Sequence, residues 1–196
     1  VGPQQEAGLE VIEAVAARNL APLSIYGQQW HAHREAGRMI YQDEQGLLDL
    51  PLPNLPGLHQ VQNAGGAIAT LRALGFDAAA CEGAVTQAQW PARMQRLRHG
   101  PLVEAAGQSE LWLDGGHNPA AGHAIAALLA ELPKVPTYLI CGMLNTKDIK
   151  GYLDPLAPHV AGLHAVSIPG EAATLPAETT AAAAHAVGMN ATQALD

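Results

Sequence analysis

The chain has 196 residues, 48% of them hydrophobic and 14% charged, which is enough apolar material for a core and excludes wholesale disorder. Ten Lys and Arg against eighteen Asp and Glu give a formal charge of −8 with no basic tract, so no nucleic-acid partner is expected through a cationic face. No apolar run approaches the roughly 18 residues of a membrane span, and the opening VGPQQEAGLEVIEAV lacks the cationic start of an export signal, so no membrane partner and a cytoplasmic setting are expected.

Gln4 to Leu20 carries Leu9, Val11, Ile12, Val15 and Ala16 at helical spacing and predicts an amphipathic helix. Leu23 to Tyr26 is expected to be a short strand. Arg38–Tyr41 and Leu47–Leu50 flank the turn-rich Asp43-Glu44-Gln45-Gly46, a hairpin signal. Pro51 to Gly57, with three prolines, is a rigid connector. Val61, Ala64, Ala67, Ile68, Leu71 and Leu74 restore helical period from His59, and Gly75 supplies a stop. A second, weaker helix is expected over Ala78–Gln87. Residues 1–88 hold no closed sheet and read as the end of something larger.

From Trp90 the texture changes. Arg93–Arg98 alternates like a strand, and Leu111–Asp114 is a second. An apolar helix over Pro119–Leu132, a strand over Thr137–Cys141, a short helix over Asp148–Leu153, a strand over Leu163–Ile168 and a helix over Pro176–Val187 follow. Successive strand–helix units predict a mostly parallel α/β sheet covered on both faces, in a domain spanning residues 89–196. Ala191 to Asp196 reads like the start of one more helix. Cys81 and Cys141 match neither a metal-ligand spacing nor a disulfide framework and are expected to be reduced thiols.

Four segments could carry chemistry. In Leu111–Pro119 a strand ends in Asp114, Gly115 and Gly116 free the backbone, and Asn118-Pro119 starts a helix. Asp114 and His117 are thereby expected at the carboxyl end of a parallel strand beside a helix N-terminus, where ligands of open α/β sheets bind. The competing reading makes Asp114 a turn support and His117 an ordinary loop residue. Arg93 either forks onto a phosphate or belongs to a solvated edge strand. Asn63, four residues after His59, either meets an adenine edge or caps a helix. Lys147, in Gly142–Asp148, either meets an anion or sits in a surface pair. His31 and His33 share one side of any strand, but no third metal ligand lies nearby, so no metal site is assigned. Neither GxGxxG nor GxxxxGK[ST] occurs in the chain.

Taken in order, Leu50–Gly75, WPARMQRL (90–97), LWLDGGHNPAAG (111–122) and GMLNTKD (142–148) resemble the folylpolyglutamate synthase / dihydrofolate synthase family, a branch of the Mur ligase superfamily. The resemblance implies that residues 1–88 are the C-terminal part of a central ATPase domain. Residues 89–196 would be the Rossmann-like C-terminal domain without its last strand and helix. It further implies that Asn63, Arg93 and Asp114 contact ATP, that His117 lies near the incoming glutamate or the phosphates, and that Lys147 is a weaker nucleotide candidate. Ala92 stands where the family usually has Gly, and Gly116 where it has Ala. The P-loop and Mg²⁺ ligands of such a protein would lie upstream of this sequence.

The implied reaction joins L-glutamate to dihydropteroate or folate at the expense of ATP through an acyl phosphate, in a monomeric protein, with the present chain inactive alone. Two other readings stand beside it. One is a Mur-type peptidoglycan amino-acid ligase, set against by Gly115 where those enzymes often carry Tyr and by His59-Gln60, which resembles the folate branch more. The other is a non-catalytic nucleotide-binding Rossmann-like module.

Overall fold

The computed structural model describes residues 1–194, and they divide between Trp90 and Pro91 into two units. The first unit is built on an antiparallel meander, β1 (Trp30–Glu35), β2 (Arg38–Asp43) and β3 (Gly46–Leu50). Before it runs α1 (Glu6–Arg18), and after it α2 (Leu58–Ala73) and α3 (Ala78–Thr86). The alternation of the meander turns Trp30, Ala32, Met39, Tyr41 and Leu50 inward, where Val61 and Ile68 of α2 and Cys81 and Val85 of α3 close the core. Gly65 decides how near α2 comes. A β-carbon there would lie 2.6 Å from both Ala32 Cβ and Trp30 Cζ3, so only glycine permits this approach.

The predicted hairpin is therefore two of three strands. β1 escaped prediction because Trp30 and Ala32 are its only inward residues, and because Ala36-Gly37, with φ of 47° and 78°, makes a tight turn that carries only one typical turn residue. The strand expected over Leu23–Tyr26 does not form. Its polar groups are taken by Val1 and Gln29: Tyr26 N donates to Val1 O at 2.9 Å, Val1 N donates to Ser24 O at 2.6 Å, and Ile25 N donates to Gln29 Oε1 at 2.8 Å. A nearly buried ion pair, Arg72 Nε to Asp43 Oδ2 at 3.2 Å, ties the end of α2 to the β2–β3 turn, with Tyr41 OH donating to the same carboxylate oxygen at 3.0 Å.

The second unit contains β4 (Gln95–Leu97), α4 (Pro101–Ala106), β5 (Leu111–Leu113), α5 (Pro119–Glu131), β6 (Tyr138–Cys141), α6 (Ile149–Leu153), a 3₁₀ turn (Asp154–His159), β7 (Gly162–Ala165), α7 (Ala177–Ala186) and β8 (Ala191–Gln193). β6, β7 and β8 form a parallel sheet in that order, so the mixed α/β class with a parallel sheet holds. Ile125, Leu128, Cys141, Leu153, Leu156, Leu163, Ala165 and Ala184 make its core.

Four expectations change here. β5 pairs with β4 and runs antiparallel to it, Gln95 opposite Leu113 and Leu97 opposite Leu111, instead of joining the parallel sheet. The strand expected over Arg93–Arg98 shrinks to three residues, because Ala92 and Met94 adopt φ of 54° and 43°, which no strand tolerates. Nor do the described residues cover both faces of the parallel sheet. Leu139, Cys141, Leu163 and Ala165 face the helices, while Tyr138, Ile140, His164 and Thr192 are exposed on the other side. Ala191–Gln193, read above as the start of a helix, is β8: Leu163 N donates to Asn190 O at 2.8 Å and Ala194 N to Ala165 O at 2.9 Å, so pairing with β7 overrides local helix propensity. Leu195 and Asp196 lie outside the described residues.

Candidate functional site

Asp114 follows β5 and holds two loops at once. Its Oδ2 accepts from Met94 N at 2.8 Å and its Oδ1 from Gly116 N at 2.7 Å. Gly115 N donates to Ala92 O at 2.9 Å, closing the knot from the other side. Arg93 sits between two left-handed residues, which turn its backbone out of line and leave the side chain exposed. Its Nη1 donates to Ala92 O at 3.1 Å and lies 3.2 Å from where a Gly115 β-carbon would be. Any larger residue at 115 would crowd the guanidinium. The carboxylate at 114 and the guanidinium at 93 thus share one small neighbourhood, through antiparallel pairing and an Asp-centred turn and not through a parallel strand end.

His117 is exposed, with Nδ1 2.9 Å from Gly115 O. Asn118 Oδ1 accepts from Ala121 N at 2.9 Å and Pro119 opens α5, so the predicted cap forms as its residue types require. The backbone N–H groups of a helix start are therefore next to His117, and they favour an anion. A β-carbon at Gly116 would sit 2.9 Å from Asp114 Oδ1. Glycine there lets the carboxylate close on its own loop.

Lys147 is half-buried on the loop after β6. That loop is fastened to residues 173–175, by Asn145 N donating to Ala173 O at 2.8 Å and Leu175 N donating to Met143 O at 2.7 Å. Asp148 caps α6 by accepting from Gly151 N at 2.9 Å, and a β-carbon on Gly151 would lie 2.8 Å from Pro119 Cγ. The start of α6 therefore abuts the start of α5, which brings the Lys147 loop toward the Asn118-Pro119 turn. Asn63 belongs to the first unit, exposed on α2, where its Nδ2 donates to Gln60 Oε1 at 3.0 Å. The contact of Gln60 with Asn63 and the roles of the Met94 and Gly116 amides are not read from the sequence. The Gln60 signal was present, a glutamine at a core position of an amphipathic helix, whereas backbone donors leave none.

Burial pushes the Cys141 thiol up to about 11 and raises the Tyr152 hydroxyl as well, so neither ionises at neutral pH and Cys141 is no nucleophile. Among the described residues no group of three or more His, Cys, Asp or Glu could hold a metal ion. None of their helices is long and apolar enough to cross a membrane.

No family model matches the chain. Among curated proteins it is 25% identical over 185 residues to the folylpolyglutamate synthase of Lacticaseibacillus casei, covering 85% of this chain and 41% of that protein. Among solved structures, the Mycobacterium tuberculosis folylpolyglutamate synthase complexed with ADP and AMPPCP superposes with a TM-score of 0.82 at 25% identity, over 98% of this chain and 44% of that one. Escherichia coli FolC in complex with DHPP and ADP gives a TM-score of 0.78 at 28% identity, over 94% of this chain and 42% of that one.

The likeness is to the C-terminal part of FolC-type ligases. The chain spans less than half the length of these relatives. Against a FolC-type pattern the departure at Ala92 acquires a physical cost. An alanine at φ 54° is about 1 kcal/mol worse than glycine, which adopts that conformation freely. Ala92→Gly is expected to stabilise the second unit by about 0.5 kcal/mol, after the entropy that glycine adds to the unfolded chain. Urea denaturation of the two proteins measures it, and an unchanged or lower midpoint would contradict the strain argument.

Proposed function

We propose that this chain is part of an ATP-dependent ligase that joins the amino group of L-glutamate to a carboxylate of dihydropteroate or of a folate. The observation that carries the reading is the knot of Arg93, Asp114, Gly115 and His117 at the start of α5, held by the hydrogen bonds of Asp114, in a chain of FolC-type architecture. A carboxylate is a poor acyl donor because its charge is delocalised over both oxygens. Transfer of the γ-phosphoryl group of ATP to one oxygen makes an acyl phosphate and releases ADP. The glutamate nitrogen then attacks the carbonyl carbon, the bond to the phosphate oxygen breaks, and phosphate leaves.

Anions meet at every step, so positioning and positive charge dominate the catalysis. A bound Mg²⁺ would shield the phosphates. No carboxylate of this chain is assigned to it. Asn63 is assigned to the adenine edge and Arg93 to the phosphates or the base. Asp114 shapes the loop that presents Arg93, and His117 is placed toward the phosphates or the incoming glutamate. Lys147 is a further anion contact. We place such a protein in the cytoplasm, as a monomer, acting on small molecules.

ATP titration of the ¹⁵N-labelled chain tests the nucleotide contacts assigned to Arg93 and the Gly115–His117 loop. Shifts at Arg93 and Gly115–His117 are expected, with Arg93→Ala weakening binding about tenfold or more, the worth of one charge-assisted contact. Undiminished binding by Arg93→Ala would overturn the assignment. With no P-loop motif in its sequence, the chain by itself is expected to show no glutamate ligation. Turnover of a UDP-linked muropeptide, but not of dihydropteroate, by a longer gene product containing this sequence would move the reading to a peptidoglycan ligase.

A further inference from the structure

Gln60 and Thr180 are the buried polar side chains among the described residues, and Gln60, 7% exposed, lies in the first turn of α2 beside Asn63. An amide removed from water needs partners at both ends. Gln60 Oε1 accepts from Asn63 Nδ2 at 3.0 Å, and Gln60 Nε2 lies 3.0 Å from His59 Nε2. An amide nitrogen only donates, so in this contact Gln60 Nε2 donates and His59 Nε2 accepts. The ring in turn lies over Gly57, where a β-carbon would come 2.6 Å from His59 Cε1. Each group in the row Gly57, His59, Gln60 and Asn63 is thus set by the one before it.

Asn63 is exposed and, without Gln60, its amide could present either end outward. With one N–H committed to Gln60, it keeps a free carbonyl oxygen and one N–H in a fixed plane. That donor–acceptor order matches adenine, whose amino group donates beside a ring nitrogen that accepts. The guanine edge offers a carbonyl in place of the amino group. We propose that Gln60 is a positioning residue that holds the Asn63 amide in the orientation an adenine edge requires, and so sets preference for adenine over guanine nucleotides. The proposal rests on the reading of Asn63 as an ATP contact.

The test is a double-mutant cycle on the 196-residue chain, with ATP and GTP titrations followed by NMR. Gln60→Leu is expected to weaken ATP binding about tenfold and leave GTP binding unchanged, since one oriented hydrogen bond is lost. In the Asn63→Ala background the same change is expected to do nothing further. Gln60→Glu keeps the acceptor toward Asn63 and should retain the ATP/GTP ratio. Gln60→Met serves in place of leucine if that variant melts below the assay temperature. Equal losses for both nucleotides, or additive losses in the cycle, would reduce Gln60 to a packing residue and overturn the proposal. Should Asn63→Ala bind ATP as well as the parent, or the Asn63 side-chain amide not shift with ATP, the contact assigned to Asn63 fails first and the role of Gln60 falls with it.

Discussion

Asp114→Ala is expected to unfold the second unit about 2–4 kcal/mol more easily and to abolish the response of Arg93 to nucleotide. Two charge-assisted hydrogen bonds disappear together, one to Met94 N and one to Gly116 N. Asp114 is half-buried, so water recovers part of the loss, which keeps the figure below the sum of two such bonds. The effect is larger than for an ordinary turn aspartate because Met94 holds φ 43° with its side chain buried, and the carboxylate is what fixes that backbone. Asp114→Asn separates shape from charge. It keeps one acceptor but sets its NH₂ against a backbone donor, so an intermediate loss of about 1–2 kcal/mol is expected. Denaturation and amide exchange at Met94 and Gly116 measure both variants. Slow exchange retained at both amides in Asp114→Ala would show that the knot does not depend on the carboxylate.

Gly122→Ala is the second large effect. On an exposed helix, glycine to alanine gains about 1 kcal/mol of helix propensity. Here the added methyl would stand 2.3 Å from Tyr152 O and 3.0 Å from Pro155 Cγ. The first obstacle is backbone at the end of α6 and cannot rotate away. α5 would have to lift from α6 and the 3₁₀ turn, opening the contacts of Ile125 and Leu128 with the core. Overpacking costs about 1–3 kcal/mol or more, and a clash with backbone belongs at the upper end, so after the propensity gain a net loss of about 2 kcal/mol is expected. Gly66→Ala is the control, since its β-carbon meets nothing closer than Trp30 Cη2 at 3.9 Å, and it should raise stability slightly. Thermal melts decide it, and a Gly122→Ala protein as stable as its parent would show that the α5–α6 contact is looser than the structure has it.

Both predictions bear on the start of α5, where the local chemistry was legible and its setting was not. Asn118-Pro119 could be read as a cap and first helical residue, because capping depends on residue types at adjacent positions. That Asp114 ends a strand was equally readable. What that strand pairs with was not, since three apolar residues carry no record of their partner. Arg96 and Glu110, an ion pair in the folded chain, suit an antiparallel β4–β5 ladder, but their sequence separation hides the pairing. Gln60 and Asn63, by contrast, are three residues apart and meet as soon as α2 has turned.

Residue order by itself determined the helices α1, α2, α3, α5, α6 and α7 to within a few residues, the β2–β3 hairpin, the proline-rich connector and the segments in which Asn63, Arg93, Asp114, His117 and Lys147 lie. These depend on periodicity, caps and turn residues, all local. Tertiary structure alone decided that β1 completes a meander, that Leu23–Tyr26 gives up its strand to the chain's first residue, that β8 is a strand, and that Asp114 spends both oxygens on backbone amides beside Arg93. The pairing of β8 with β7, of Tyr26 with Val1 and of Met94 with Asp114 turns on a hydrogen-bond partner distant in the sequence, and a backbone amide looks the same at every position until folding brings its acceptor to it.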